Sequence, residues 1–273
     1  MIETSQFGPI TQINMGREMD GRTLYRVSAY LIDGLLIDTG CSHTSQELTA
    51  FLREKKVTKA VNTHFHEDHI GGNKDVMDNF GIDIYAHPAS IPLIAQRPSL
   101  HPIQVMTWGH PAPTDVKAVP DVIYTDNYAF QVIETPGHCA GHVALMELTK
   151  GWCFSGDIFT RENVKFIRDE ENAGGLIESM RKIVSLAGAG IILFTSLGKI
   201  IEDGTKALTS CIEYLLDLAE KARVLVREGH TVDEIVNIIF GGECDFARLT
   251  DGHFTSKNLI ESLLDMTRSD SGV

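Results

Sequence analysis

Short apolar runs alternate with amphipathic segments along most of the chain. Apolar and β-branched residues dominate positions 24–32 and 35–38, and the intervening Asp33-Gly34 is typical of a two-residue hairpin turn. Further strands are predicted over 57–63, 82–86, 128–135, 143–148, 152–155 and 191–194. Helices are predicted over 45–56, 73–80, 88–96 and 176–186. The alternation predicts a mixed α and β fold.

Two regions depart from this alternation. Residues 97–120 contain five of the nine prolines and follow neither periodicity, which predicts a long loop. From residue 205 onward the pattern is helical: one long amphipathic helix, a second beginning at Thr231 with capping-box spacing to Glu234, and a third through 255–266. We therefore predict a catalytic domain over 1–204 and a helical extension over 205–273 that packs on it and can cover its active site.

Composition narrows the class of protein. The 273 residues suffice for a large core, and no stretch approaches the roughly 20 apolar residues of a membrane span. The first residues lack a basic-then-apolar signal pattern, so a cytoplasmic protein is expected. A net charge of −13 without a Lys/Arg cluster argues against a nucleic-acid partner, which leaves a small-molecule substrate, and a homodimer stays open. Five scattered cysteines without CxxC spacing predict neither a disulfide framework nor a structural zinc site.

Four residues with metal-ligating side chains lie within six positions. They are His64, His66, Asp68 and His69, at the predicted end of a strand. Imidazoles and a carboxylate at this density are suitable ligands for zinc or iron, and Gly71 and Gly72 allow a tight turn behind them. The alternative, surface histidines beside a helix cap formed by Asp68, does not account for this spacing.

The run Thr63-His-Phe-His-Glu-Asp-His69 resembles the metallo-β-lactamase superfamily and its glyoxalase II-like hydrolases. Three further segments match that family in the same order along the chain: Ile37-Asp38-Thr39-Gly40, Pro136-Gly137-His138 and Ser155-Gly156-Asp157. The resemblance implies an α+β fold, a four-layer αβ/βα sandwich, here with additional C-terminal helices.

The resemblance also implies the roles of individual residues. His64, His66 and His138 would bind one metal, and Asp68 and His69 a second, with Asp157 shared between them. Asp38 would support the metal loop from behind. The cofactor would be one or two divalent ions, zinc in the first place, with iron and manganese as alternatives.

One position departs from the family pattern. The loop Thr195-Ser-Leu-Gly-Lys199 places Leu197 where the family has its last histidine. One metal only, a second metal with an extra water, and a substitute ligand are the three open outcomes. His253, just before the last predicted helix, is the best candidate for a substitute ligand or a pocket residue.

Hydrolysis is the function that the resemblance favours. A metal-bound hydroxide would attack a small-molecule ester, thioester or lactone, with Asp68 orienting it or handling the proton of the leaving group. Two alternatives remain: an iron-dependent oxidoreductase acting on a sulfur substrate, and a ligand-binding sensor with a degenerate metal site. Five residues are candidates for an apolar pocket lining, with packing of the extension onto the core as the alternative for each: Met106, Trp108, Phe240, Phe246 and Phe254.

Overall fold

A seven-stranded sheet forms the first half of the protein in the computed structural model, which describes residues 1–188 and 190–266. Residues 267–273 of the predicted extension lie outside this range. The strands occur in chain order across the sheet: β1 (Ile2–Phe7), β2 (Ile10–Met19), β3 (Arg22–Ile32), β4 (Leu35–Ile37), β5 (Lys59–Val61), β6 (Asp83–Ala86) and β7 (Lys117–Ala118). The first four are antiparallel, and β4 to β7 are parallel.

The second half contains a six-stranded sheet of order β14-β13-β11-β10-β9-β8. Its strands are β8 (Val122–Tyr124), β9 (Ala129–Glu134), β10 (Val143–Glu147), β11 (Trp152–Gly156), β13 (Ile192–Thr195) and β14 (Ile200–Ile201). A separate antiparallel pair joins β12 (Ile167–Arg168) to β15 (Phe254–Thr255), so the C-terminal region is hydrogen-bonded to the loop that follows β11.

Ten α-helices connect or cover these strands in the described ranges: α1 (Ser45–Leu52), α2 (Glu67–Ile70), α3 (Asn73–Phe80), α4 (Ile91–Ile94), α5 (Pro102–Trp108), α6 (Ala173–Leu186), α7 (Gly204–Arg227), α8 (Val232–Phe240), α9 (Asp245–Leu249) and α10 (Ser256–Asp265). A 3₁₀ turn at Ser42–Thr44 precedes α1. Within the described ranges, no helix is both long and apolar enough to cross a membrane.

Three groups of buried side chains define four layers. Between the sheets, residues such as Ile32 on β3 and Phe154 on β11 pack together. The outer face of the first sheet packs against α1 and α3. The outer face of the second sheet packs against α6, α7, α8 and α10. This helix–sheet–sheet–helix arrangement confirms the predicted four-layer α+β fold with additional C-terminal helices.

The structure corrects two parts of the predicted secondary structure. Strands β1 and β2 precede the predicted first strand, and residues 97–120 are not a continuous loop. Helix α5 forms there because Pro102 occupies its first turn, while His101 and Gln104 form a reciprocal capping box. The capping box predicted at Thr231 and Glu234 is present at the start of α8.

Candidate metal centre

The predicted ligands lie on loops that follow the carboxyl ends of four strands. Asp38 follows β4, His64 follows β5, His138 follows β9 and Asp157 follows β11. All of the residues with predicted metal-binding roles in these loops are at least nine-tenths buried. Segments far apart in sequence therefore supply one buried site.

Two glycines allow the loop after β5 to lie directly against the loop after β4. A Cβ atom on Gly71 would lie 2.2 Å from the backbone nitrogen of Ser42, and one on Gly72 would lie 2.6 Å from the carbonyl oxygen of Thr39. Close backbone approach, rather than a left-handed conformation, is thus what requires glycine here. It brings Asp38 to Thr63, whose backbone N–H and hydroxyl donate to its carboxylate at 2.7 and 2.8 Å.

His64, His66 and His138 form what we call the three-histidine cluster. One ring nitrogen of each lies within 4.8 Å of those of the other two. The closest pair is His66 Nδ1 and His138 Nε2, at 2.9 Å. His64 Nε2 is buried and makes no hydrogen bond to any residue that the structure describes. An unsatisfied polar atom of this kind is costly unless a ligand is bound to it.

In each of the four site histidines, the ring nitrogen that faces away from the clusters contacts an oxygen atom. This contact fixes the orientation of the ring. The partners are Thr63 Oγ1 for His64 (3.0 Å), Glu170 for His66 (2.8 Å), Asp38 for His69 (2.8 Å) and Glu171 for His138 (3.1 Å). Because a neutral imidazole that donates from one nitrogen has a lone pair on the other, these partners direct the lone pairs toward the cluster.

His64, His69 and Asp157 form a second group, the mixed cluster. A carboxylate oxygen of Asp157 lies 3.4 Å from His69 Nε2, and its other oxygen lies 3.5 Å from His138 Nε2. Asp157 therefore connects the mixed cluster to the three-histidine cluster. Asp68 lies beside the mixed cluster, 3.9 Å from His69. Two buried atoms here, Asp68 Oδ1 and His69 Nε2, have no hydrogen-bond partner in the described ranges.

Electrostatics differ among these groups. Burial and the neighbouring imidazoles lower the pKa of His64 well below its ordinary value, which favours the neutral form that binds metals. Burial raises the pKa of Asp68 to about 6. Burial also opposes ionisation of Asp157, but His69, His138 and the Ser196 hydroxyl together outweigh it and lower the pKa of that carboxyl. The ionised Asp157 carboxylate of the mixed cluster thus has near it a carboxyl group, that of Asp68, which is close to protonation near neutral pH.

The residues present fit a divalent cation. Convergent imidazoles, unpartnered buried nitrogen and oxygen atoms, and an oxygen partner behind each ring are the features expected of a histidine-rich metal site. The structure does not bring His253 into either cluster. Its ring contacts Asp169 at 2.9 Å, and its side chain is 26% exposed.

Leu197 does lie at the site. It lines the same cavity as Asp157 but offers no donor atom. The preceding Ser196 hydroxyl donates a hydrogen bond to Asp157. An apolar side chain next to the mixed cluster therefore occupies the position where the family resemblance predicts a histidine.

Sequence reasoning missed the two glutamates behind the three-histidine cluster. Glu170 and Glu171 follow β12, about a hundred residues after the HxHxDH run. The only signal was the acidic run Asp169-Glu170-Glu171, a pattern more typical of a solvated loop. Arg168, also missed, is buried, and its guanidinium lies 3.7 Å from Glu67 and 3.8 Å from Glu170.

A cavity of about 300 Å³ adjoins the metal centre. Its lining includes His138 and Asp157. It also includes three of the five candidates for an apolar lining: Trp108, Phe246 and Phe254. The edge of the Tyr25 ring packs on Trp108, with 5.1 Å between ring centroids. The Tyr25 hydroxyl makes no hydrogen bond to another described residue, while burial and Asp68 raise its pKa, so it remains a proton donor.

Comparisons with known proteins agree with this geometry. A profile of the family described as metallo-beta-lactamase superfamily matches residues 22–193, more than half of the chain. The chain is 25% identical over 158 residues to hydroxyacylglutathione hydrolase GloC of Haemophilus influenzae, which covers 50% of this chain and 69% of that protein. It is 31% identical over 110 residues to hydroxyacylglutathione hydrolase of Bdellovibrio bacteriovorus, but this match spans only 38% of that relative's length and 40% of this chain.

Solved structures share the fold over nearly the whole chain. A metallo-beta-lactamase family protein from Thermus thermophilus has a TM-score of 0.70 at 16% identity, covering 98% of this chain and 95% of that one. A beta-lactamase domain protein from Burkholderia ambifaria has a TM-score of 0.65 at 18% identity, covering 98% and 86%. At these identities the likeness demonstrates a common fold.

Proposed function

The chain belongs to the metallo-beta-lactamase superfamily, as the sequence resemblance predicted, and on this premise we propose that it hydrolyses a small-molecule ester, thioester or lactone. The family and the hydroxyacylglutathione hydrolase relatives support a metal-dependent hydrolase in general terms. The bond type and the substrate are our proposal.

One observation carries this proposal. Four imidazoles have one nitrogen held by an oxygen and the other turned toward a common buried region, at one end of a cavity that fits a small molecule. His64, His66 and His138 would hold one cation, and Asp68 and His69 would hold a second, with Asp157 beside both. A divalent cation bound here would lower the pKa of a coordinated water and polarise a carbonyl group.

The chain's own residues would then position the substrate and transfer protons. Asp68, with a pKa near 6 and an unpartnered Oδ1, would accept a proton from the attacking water and return it to the leaving group. Tyr25 would donate a hydrogen bond from its hydroxyl to the carbonyl oxygen of the substrate. Tyr25 lines the cavity, and Asp68 lies beside the mixed cluster, 3.9 Å from His69.

The test combines metal analysis with turnover. Purified protein is analysed for zinc, iron and manganese, and then assayed on panels of thioesters, lactones and esters. Replacing His64 and His66 together with alanine should remove both the metal and the turnover, because two of three ligands are lost. His230→Ala is the matched control, since the side chain of that histidine is partly exposed, lies outside both clusters and contacts Glu234.

Three outcomes would contradict the proposal. Turnover that persists without His64 and His66 would exclude this metal centre as its source. Stoichiometric iron with oxygen uptake, and no hydrolysis of any panel member, would instead support the oxidoreductase alternative. Tight binding of a small molecule without any turnover would support the sensor.

A further inference from the structure

The cavity beside the metal centre has one polar end. Its buried polar lining consists of His138 and Asp157, which belong to the clusters, and of Glu171 and Arg168, which contact them or their partners. The other charged lining residues, Arg161 and Lys165, are exposed on the loop between β11 and β12. The polar groups therefore mark the metal end and the outer surface.

The remaining walls are apolar and come from the C-terminal half. Helix α6 contributes Leu176 and Met180, and α7 contributes Cys211 and Leu215, all of them at most 5% exposed. Burial raises the pKa of Cys211 to about 12, so its thiol stays uncharged. A phenylalanine from α9, Phe246, completes this side of the cavity. Neither α6 nor α7 carries a metal-cluster residue.

An apolar space of this size is unusual inside a packed protein. Cores are close-packed, and voids much larger than a water molecule are few. Water gains little in such a space, because a buried water needs two to four polar partners. A cavity that joins an apolar wall to a metal centre is suited to an apolar group attached to a reacting carbonyl.

We propose that this cavity binds an uncharged, apolar acyl group of the substrate, and that α7 limits its length at Cys211 and Leu215. Since a water-sized group occupies roughly 30 Å³ in a liquid, the space of about 300 Å³ takes up to about ten non-hydrogen atoms. This inference rests on the proposed hydrolase function. The substrate class is thus a medium-chain or aromatic acyl ester or thioester, with the leaving group facing outward.

The first experiment measures acyl-length preference in the metal-loaded protein. N-acetylcysteamine thioesters with straight acyl chains from acetyl to tetradecanoyl are the probes. Burial of each added methylene should raise kcat/KM by about fourfold until the cavity is full, near decanoyl, after which kcat/KM should fall.

Two substitutions at Cys211 should move this maximum in opposite directions. Cys211→Phe fills part of the cavity and should lower the decanoyl-to-butanoyl ratio of kcat/KM by at least about tenfold. Cys211→Ala enlarges the cavity and should shift the maximum to longer chains. Glu213→Ala, two positions away on the exposed face of α7, should leave the ratio unchanged. If the Cys211→Phe variant does not fold, the shift of the maximum in Cys211→Ala still tests the proposal.

A binding measurement separates this inference from the hydrolase proposal. Calorimetry with decan-2-one, which lacks a leaving group, should show binding with a negative heat-capacity change that Cys211→Phe weakens. Size-selective ketone binding without turnover of any thioester would support the acyl site and contradict the hydrolase. Turnover with a flat chain-length profile, identical in both Cys211 variants, would overturn the acyl site and leave the hydrolase standing.

Discussion

The two clusters of the candidate metal centre differ in how many of their ligand side chains are oriented by a partner and free to bind a cation. In the three-histidine cluster, His66 and His138 each have a glutamate behind the ring, and His64 has the Thr63 hydroxyl. The mixed cluster has Asp38 behind His69, but its shared carboxylate is engaged by Ser196, and the next residue is apolar Leu197.

This difference predicts unequal sites. Burial lowers the pKa values of His64 and His66 and so favours their neutral forms, and all three rings have fixed orientations. The three-histidine cluster should therefore bind its cation first and more tightly. The mixed cluster has to release Asp157 from Ser196 or share it, and it has one ligand fewer than the family pattern. The loop after β13 should therefore limit the affinity for a second cation.

Glu171→Gln should have the largest effect on this comparison. Glu171 accepts from the backbone N–H of Arg168 with one oxygen and contacts His138 Nδ1 with the other. If the glutamine oxygen keeps the backbone bond, its amide N–H₂ faces His138 Nδ1 and favours the tautomer with the proton on Nε2, the nitrogen that faces the cluster. Affinity for the first cation should fall roughly 10- to 100-fold, measured by competition with a chromophoric chelator.

Glu162→Gln is the control for that titration, because Glu162 is exposed on the loop between β11 and β12. If both variants bind the first cation as tightly as the unsubstituted protein, the glutamate does not orient His138. The asymmetry between the clusters would then have to come from the ligands alone.

Leu197→His should reduce the difference between the clusters. The side chain at this position lines the cavity beside Asp157, so an imidazole there would supply the donor that the mixed cluster lacks. We expect the second cation to bind at least about tenfold more tightly, which corresponds to about 1.4 kcal/mol. Metal stoichiometry at fixed free metal measures this, with Leu197→Phe as a control without a donor. Equal stoichiometry in both variants would show that residue 197 does not limit the second site.

The sequence predicted the fold where hydrophobic periodicity was regular and failed where local chemistry overrode it. Most strands and the long helix α7 follow from apolar runs that are visible in the chain, whereas the pairing of two sheets was implied by the family resemblance. Helix α5 was missed because a proline-rich segment is typical of loops, whereas here Pro102 occupies a helix's first turn and His101 caps it.

The site shows the same division. Residues of the HxHxDH run could be predicted because they are close in sequence. Asp38, His138 and Asp157 could be predicted because each stands in a short segment that resembles the family, and these segments occur in the family's order along the chain. Glu170 and Glu171 could not, because the β12–β15 pair sets the position of their loop. No local pattern encodes that pairing of two-residue strands.

The last comparison concerns the stability of the metal-free protein and its two carboxylates, Asp68 and Asp157. Burial holds the pKa of Asp68 near 6, above its ordinary value of 3.8, so its ionisation costs stability as the pH rises through that window. Because one pKa unit corresponds to about 1.4 kcal/mol, Asp68→Asn should stabilise the chelator-treated protein on the order of 3 kcal/mol at about pH 7. The gain should vanish near pH 4, where Asp68 is largely protonated in the folded state.

Asp157→Asn should have the opposite sign and makes the matched comparison. His69, His138 and Ser196 together outweigh burial and hold the pKa of Asp157 below its ordinary value, so the ionised carboxylate contributes stability at neutral pH that is lost as the pH falls below that value. Thermal unfolding of both variants, with and without chelator, measures the two shifts as changes of several degrees in Tm. Equal shifts of the same sign would contradict the assignment, because burial would then dominate at both carboxylates. Opposite signs would show that burying the Asp68 carboxylate costs stability, whereas the ionised Asp157 carboxylate contributes it.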